Sequence, residues 1–260
     1  MKGFPKNCPQ EIIPELISYL KRLDQKGIKS LYLAPSPTSS KDTDVETVVP
    51  ETGMGFEKKT APATDTEKDM KTTPANVAKR LAELESKVKT CDECALHGGR
   101  TNAVFGTGDP ETRVMFIGEG PGRDEDQKGE PFVGRSGQLL TKILAAIDLR
   151  REDVYITNIV KCRPPQNRDP LEEEVRCCER YLVAQIELIK PKLICALGRI
   201  AAQWLLDTKE PLATLRSTEN SYCGIPVLVT YHPAALLRNP GLKKGAWEDF
   251  KKLRSIISDE

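Results

Sequence analysis

The sequence is poor in features that define whole classes of protein. It has no apolar run near the roughly 20 residues that a membrane-spanning helix requires, and its first residues, MKGFPKNCPQEII, lack a signal peptide's apolar core. Its 39 Lys and Arg are matched by 38 Asp and Glu, which leaves a net charge of +1. We therefore expect a cytoplasmic protein with no membrane attachment, whose surface for any nucleic acid is a local patch.

Two loops carry enough basic residues for such a patch: Lys161, Arg163 and Arg168 in the first, and Arg238, Lys243 and Lys244 in the second. Each cluster taken alone is equally consistent with scattered, solvated charges. Composition alone therefore neither supports nor excludes nucleic-acid binding, and the evidence for it has to come from sequence motifs.

Cysteine is abundant, with eight residues, and in a reducing compartment cysteines are more often metal ligands or buried residues than disulfides. The CDEC turn supplies Cys91 and Cys94, and Cys162 and Cys178 follow with fifteen residues between them. Four such thiolates suit either a tetrahedral metal or an iron–sulfur cluster, and Cys177 could take the place of Cys178. The remaining cysteines are predicted to be a core residue, Cys195, and two free thiols, Cys8 and Cys223.

The chain divides by composition into three parts. Residues 9–26 carry one apolar helical stripe that stops at Gly27, whereas the following stretch is rich in Thr, Ser, Pro and charge without any period. We predict an N-terminal helical segment at 1–33, a disordered linker at 34–75 and one ordered domain at 76–260.

The predicted domain alternates strands with helices. Four runs rich in β-branched residues are apolar on both faces, as buried parallel strands are: 113–118, 154–160, 192–198 and 225–230. Helix-period segments start near Asn76, Ser136, Leu171, Arg199 and Ala246. The fold class is therefore α/β, a three-layer α/β/α sandwich with a roughly four-stranded parallel sheet. Because ligands bind beyond the carboxyl ends of such strands, the loops after Ile117, Val160 and Thr230 should converge.

These loops carry a family resemblance. The stretches GEGPGRDEDQKGEPFVGRSGQLL, TNIVKCRPPQNRDP and HPAALLRNP stand in that order behind CDEC. Together they resemble the family 4 uracil-DNA glycosylases, the bacterial and archaeal enzymes that hold a [4Fe-4S] cluster, over roughly residues 77–257. The family's fold, an α/β/α sandwich, agrees with the strand pattern.

The resemblance implies a role for each matched residue. The cluster ligands would be Cys91, Cys94, Cys162 and Cys178, the last preferred over its neighbour because it stands three residues before Tyr181. The catalytic residues would be Glu119 and His232, and the uracil pocket would comprise Gly118, Gly120, Gly122, Phe132 and Asn158. The residues expected to contact DNA are Arg163, Asn167, Arg168, Leu236, Leu237 and Arg238, with the two leucines acting as a wedge between bases.

The implied function is base excision repair. A monomeric, monofunctional glycosylase would flip uracil out of DNA and hydrolyse its N-glycosidic bond, leaving an abasic site. The N-terminal segment could bind a protein partner, and the cytoplasmic enzyme would associate with the nucleoid. Two alternatives stay open: a metal-stabilised DNA-binding module without glycosylase activity, and a glycosylase that also accepts hypoxanthine or xanthine.

Overall fold

A computed structural model of the chain describes residues 74–258. The helical segment predicted at 1–33 lies outside the described residues, as does the linker up to residue 73. No helix in the described part of the chain is both long enough and apolar enough to span a membrane.

Helices and strands alternate along residues 74–258. The helices are α1 (Pro74–Thr90), α2 (Arg123–Lys128), α3 (Arg135–Ala146), α4 (Glu172–Ile189), α5 (Arg199–Leu205), α6 (Leu212–Ser217), α7 (Pro233–Arg238) and α8 (Lys243–Ser258). The strands are β1 (Thr107–Gly108), β2 (Val114–Gly118), β3 (Tyr155–Asn158), β4 (Leu193–Leu197), β5 (Asn220–Tyr222) and β6 (Ile225–Thr230). Short 3₁₀ turns occupy Ala95–Gly99, Arg151–Asp153, Pro165–Asn167 and Pro240–Leu242.

The described strands form one six-stranded sheet in the order β1-β3-β2-β4-β6-β5. The four central strands are parallel, as predicted, whereas β1 and β5 pair antiparallel to their neighbours at the two edges. The expected count of about four parallel strands is therefore corrected to a mixed sheet of six. The two added strands have two and three residues, too short to show an apolar period.

Side chains alternate between the two faces of the sheet, and each face is covered. Met115 and Ile117 belong to the core under α1, α4, α5 and α6, whereas Val114 and Phe116 belong to the core under α3 and α8. The ring of Phe116 stacks on Phe250 of α8, with centroids 6.4 Å apart. The predicted three-layer α/β/α sandwich is confirmed.

The parallel strands end at one edge of the sheet, and their chains stay paired as they leave it. Gly118 is the register partner of Asn158, and the Ile159 amide then donates to the Gly118 carbonyl at 3.0 Å. On the other side, the Gly198 amide donates to the Thr230 carbonyl at 2.9 Å. The loops that follow β2, β3, β4 and β6 are thus held side by side.

Candidate active site

A cavity of about 510 Å³ opens where these loops meet. Nine of the residues singled out in the sequence line it: Glu119, Gly120, Gly122, Phe132, Asn158, Asn167, Arg168, His232 and Arg238. Gly118, Arg163, Leu236 and Leu237 are not among the lining residues, and the cysteines line a second cavity. The loops after β2, β3 and β6 therefore converge as the sheet topology requires.

Asn158, the last residue of β3, provides the most unusual polar group of the cavity. The residue is 1% exposed, and its side-chain oxygen Oδ1 has no hydrogen-bond partner. Gly118 lies directly beside it, and a Cβ at that position would stand 2.4 Å from Oδ1. Because buried polar atoms are nearly always paired, this oxygen is available to a ligand.

Phe132 forms the apolar side of the same pocket. Its backbone has φ of 53°, the left-handed region, which costs a residue with a side chain about 1–2 kcal/mol. The ring end lies against Gly118, where an added Cβ would be 2.7 Å from Cζ. Its centroid is 5.4 Å from the His232 ring, and the two planes are tilted by 34°.

His232 stands at the start of α7 and faces the cavity as a neutral ring. Its Nδ1 accepts the amide N–H of Ala234 at 3.1 Å, which leaves the ring proton on Nε2. Burial of the ring, with a smaller contribution from the Arg238 charge, lowers the pKa of His232 to about 4. The side chain is therefore a neutral hydrogen-bond donor throughout the physiological range.

Glu119 titrates near neutral pH. Burial, with a smaller contribution from the nearby Asp169 carboxylate, raises the pKa of Glu119 to about 7, although the Arg199 and Arg238 cations oppose the rise. Carboxyl groups with such pKa values are typical of catalytic sites. Arg199 and Asp169 also line the cavity and form an ion pair at 2.8 Å.

Neither Arg199 nor Asp169 was singled out from the sequence. Arg199 follows β4, so the convergence rule that selected the other loops could have included it.

The predicted DNA-contacting residues divide into several groups. Leu236 is 1% exposed and belongs to the core, so its predicted role as a wedge is wrong, whereas Leu237 is 40% exposed. Both lie in α7, where successive side chains point in different directions, so one can be buried while the next faces solvent. Arg163 donates to Asn167 Oδ1 at 2.7 Å on the surface of the loop after β3.

Arg168 and Lys161 are engaged within the protein. Arg168 makes a two-pronged ion pair with the buried Glu174 at the start of α4, at 2.8 and 2.6 Å. The Nζ of Lys161 is buried and donates to Thr157 Oγ1, the Asn158 carbonyl and Gln185 Oε1 at 2.6–2.8 Å. Lys161 is therefore not part of a basic surface patch; it braces the backbone of Asn158.

The second cavity is lined by thiols. Cys91, Cys94, Cys162, Cys177 and Cys178 face it from the end of α1, the following turn, the loop after β3, and α4. An Arg100 Nη1 donates to the sulfur of Cys162 at 3.1 Å, and the Lys161 amide donates to the sulfur of Cys178 at 3.2 Å. Hydrogen bonds of this kind stabilise sulfur in its ligating, thiolate form.

The other cysteines have different outcomes. Cys195 is buried in β4, as predicted. Cys223 is disulfide-bonded, so the prediction of a free thiol there is wrong. Cys8 lies outside the described residues.

Comparison with known proteins agrees with this geometry. Residues 105–251 match the family model of the Uracil DNA glycosylase superfamily. The chain is 48% identical over 184 residues to a type-4 uracil-DNA glycosylase of Archaeoglobus fulgidus, which covers 68% of this chain and 92% of that protein. It is also 48% identical over 185 residues to a type-4 enzyme of Thermotoga maritima, covering 69% and 96%. A type-5 enzyme of Pyrobaculum aerophilum is 35% identical over 153 residues, covering 52% and 66%.

The fold, the convergent loops and the family match define the class of this protein, that of base-excising DNA glycosylases. Because the type-4 relatives are covered almost from end to end at nearly half identity, the chain belongs to the type-4 uracil-DNA glycosylases within the Uracil DNA glycosylase superfamily. The resemblance seen in the sequence motifs is confirmed.

Proposed function

We propose that this chain removes uracil from DNA by hydrolysing the bond between the base and deoxyribose, as the first step of base excision repair. Membership of the type-4 family supports the reaction. The observation that carries the assignment of the site is the buried, unpartnered Oδ1 of Asn158 inside the cavity. A desolvated acceptor without a partner destabilises a protein, so a DNA-binding module without a base pocket would gain nothing from it. In an enzyme that reads a flipped base, the same acceptor binds the base.

The pocket suits uracil in particular. The Asn158 carbonyl would accept the N3–H of the base while its amide donates to O4, a pattern that cytosine cannot satisfy. Phe132 offers an apolar ring on which the flipped base can stack. Gly118 keeps both side chains close together because it has no Cβ. The backbone of the GEGPG turn, with Gly120 and Gly122, lines the rest of this wall.

Bond cleavage leaves charge on both products. The electron pair of the C1′–N1 bond moves to the uracil ring, and the sugar becomes an oxocarbenium-like cation until water adds to C1′. The Nε2–H of His232 would donate to O2, where the negative charge collects. The carboxylate of Glu119 would balance the cation or accept the proton of the attacking water. A neutral histidine suits this step, because O2 needs only a hydrogen-bond donor and the histidine does not have to be protonated to the imidazolium form.

We propose that a [4Fe-4S] cluster is held by Cys91, Cys94, Cys162 and Cys178. Among residues 74–258 no three His, Cys, Asp or Glu side chains are arranged to hold a single metal ion, although these thiols share one cavity. Four thiolates around one cavity could hold a cubane cluster, in which each thiolate would bind one iron. Cys178 is preferred over Cys177 because it is the more buried and accepts the Lys161 amide.

When bound, the cluster would cross-link separate parts of the chain and would take no part in the reaction. Its ligands would tie α1 and α4 to the loop after β3, which begins at the end of the strand carrying Asn158. Lys161, which precedes Cys162, is bonded to the Asn158 carbonyl. Ordering of the cysteine site should therefore order the base-reading strand end as well.

We further propose that DNA lies across the mouth of the cavity. Leu237 is an exposed apolar side chain next to Arg238, which lines the cavity, and the pair can fill the gap left by the flipped base. Arg163 and Asn167 would face the same DNA from the loop after β3. Residues 76–260 would form the catalytic domain, and the enzyme would act as a monomer. Residues 1–75 would bind a protein partner. The enzyme would be cytoplasmic and associated with the nucleoid.

One experiment tests the reaction and the site together. Purified protein is incubated with a duplex carrying a single U:G pair, and abasic sites are revealed by alkaline cleavage; C:G and T:G duplexes are the controls. We expect uracil-specific cleavage, and His232→Ala should slow single-turnover excision about 10²–10³-fold. Binding to uracil DNA that resists cleavage should change far less. Equal losses in rate and binding would show that His232 positions DNA and does not donate in the transition state.

A further inference from the structure

The segment Pro131–Gly134 carries Phe132 in a left-handed backbone conformation, and two charged side chains hold it there from opposite sides. The segment joins α2 to α3, and α2 ends at Lys128. A phenylalanine adopts positive φ only where its surroundings enforce it. The contacts that enforce it determine where the ring stands.

Glu125 of α2 holds the amide side of the segment. The residue is buried, and its Oε1 accepts the backbone N–H of Val133 at 3.0 Å and that of Gly134 at 2.9 Å. Both amides are thereby turned toward α2. Gly134 is also the residue that precedes α3, so the same carboxylate sets the start of that helix.

Arg151 holds the carbonyl side. Its Nη1 donates to the Phe132 carbonyl at 2.9 Å, and its Nη2 donates to the Pro131 carbonyl. Arg151 opens the 3₁₀ turn directly before β3, the strand that ends at Asn158. One guanidinium therefore connects the stacking residue to the strand that carries the base-reading residue.

Close packing blocks the Phe132 carbonyl on the side of α3. A Cβ on Gly137, one turn into α3, would lie 1.8 Å from that oxygen. The carbonyl is thus pressed against the helix backbone on one side and bonded to Arg151 on the other. Loss of the guanidinium would leave two partly buried carbonyls without their donor, and rotation of the segment is the simplest way for them to reach water.

We propose that Arg151 is a positioning residue for uracil excision: together with Glu125 it clamps the Pro131–Gly134 segment so that the Phe132 ring stands over Asn158. The inference rests on the proposed role of Phe132 as the surface on which uracil stacks. Arg151 itself does not line the cavity, so it acts through the segment and never through the substrate.

The chain offers a matched pair of arginines for the test. Arg150, the preceding residue, is exposed and pairs with Asp153, without any contact to the segment among its hydrogen bonds. Single-turnover excision of uracil is measured for the wild type, R151M, R151K and R150M, with rates normalised to the folded fraction. We expect R151M to be about 10- to 100-fold slower, because misplacement of a binding group by about 1 Å has effects of this size. R150M should keep the wild-type rate.

The conservative variant separates charge from geometry. A lysine keeps the positive charge but cannot donate to two carbonyls in the fixed fork of a guanidinium, so R151K should recover only part of the rate. Affinity for duplex without uracil should stay within about twofold of wild type in every variant, because none of them alters a DNA-contacting group.

A double-mutant cycle provides the decisive readout. If Arg151 acts through Phe132, R151M should slow the F132A enzyme by less than about twofold, since the ring it positions is gone. An equal slowing of F132A and wild type would overturn the proposal, and so would a wild-type rate for R151M itself. A wild-type rate for F132A would refute both the stacking role and the clamp, while uracil cleavage by the unaltered protein would still establish the reaction.

Discussion

Gly118→Ala adds one methyl group between Asn158 and Phe132. The new Cβ would stand 2.4 Å from Oδ1 of Asn158 and 2.7 Å from Cζ of Phe132. Ordinary contacts of a Cβ begin at about 3.4 Å, so the amide oxygen would have to retreat by about 1 Å and the ring by about 0.7 Å. A single methyl group therefore displaces both residues proposed to hold the base.

The two displacements should affect stability and activity very differently. Oδ1 of Asn158 has no partner to lose, so its retreat is cheap, and overpacking against the Phe132 ring should cost about 1–3 kcal/mol. That cost corresponds to a loss of several degrees in melting temperature for a domain of this size. Excision, by contrast, should fall about 100-fold, because the carbonyl no longer reaches the N3–H of the flipped uracil.

The assay is single-turnover release of uracil from a U:G duplex, with thermal unfolding measured on the same preparation. Gly98→Ala is the matched control, because a Cβ on Gly98 in the 3₁₀ turn Ala95–Gly99 would meet no atom within 4 Å. It should leave the rate unchanged and stability within about 0.5 kcal/mol. A Gly118→Ala enzyme that excises uracil at the wild-type rate would refute the placement of the base between Asn158 and Phe132.

Three further predictions test other parts of the site. Asn158→Asp keeps the acceptor but sets a carboxylate against O4 of uracil, and this contact between two acceptors should weaken transition-state binding by about 1–3 kcal/mol or more. Uracil excision should therefore fall at least about tenfold, while slow cytosine release becomes measurable. An unchanged uracil rate would contradict base reading by Asn158. Because burial raises the pKa of Glu119 to about 7, its ionised fraction grows from about one tenth at pH 6 to about nine tenths at pH 8. If the carboxylate assists, the wild-type rate should rise up to tenfold over this range while Glu119→Gln stays flat, and parallel profiles would exclude the role. Cys178→Ser should lose iron, sulfide and visible absorbance whereas Cys177→Ser retains them, and the reverse result would reassign the fourth ligand.

Regular local patterns were enough to predict the centre of the fold. The four central strands are apolar on both faces, and that property is visible in a few consecutive residues because both faces of a parallel sheet are covered by helices. The parallel arrangement then required the loops after β2, β3 and β6 to meet, and the cavity lies there. The order of the motifs in these loops was sufficient to identify the family.

Outcomes at adjacent positions depended on side-chain direction, which the motif alone does not provide. Leu236 and Leu237 are the same residue type in the same motif, yet the helix places Leu236 in the core and leaves Leu237 exposed. Cys177 and Cys178 both reach the thiol-lined cavity, and the deeper burial of Cys178 and its bond from the Lys161 amide distinguish them.

Sequence by itself therefore determined the four central strands, the loops that follow them and the chemical identity of the proposed pocket residues, because each depends on residues close together in the chain. Only the tertiary structure decided which groups hold them in place. Lys161 reaches Gln185 across 24 residues, and Arg151 reaches the Phe132 carbonyl across 19. No periodicity or motif connects such pairs; folding brings them together because buried charges and carbonyls must find partners wherever in the chain they lie.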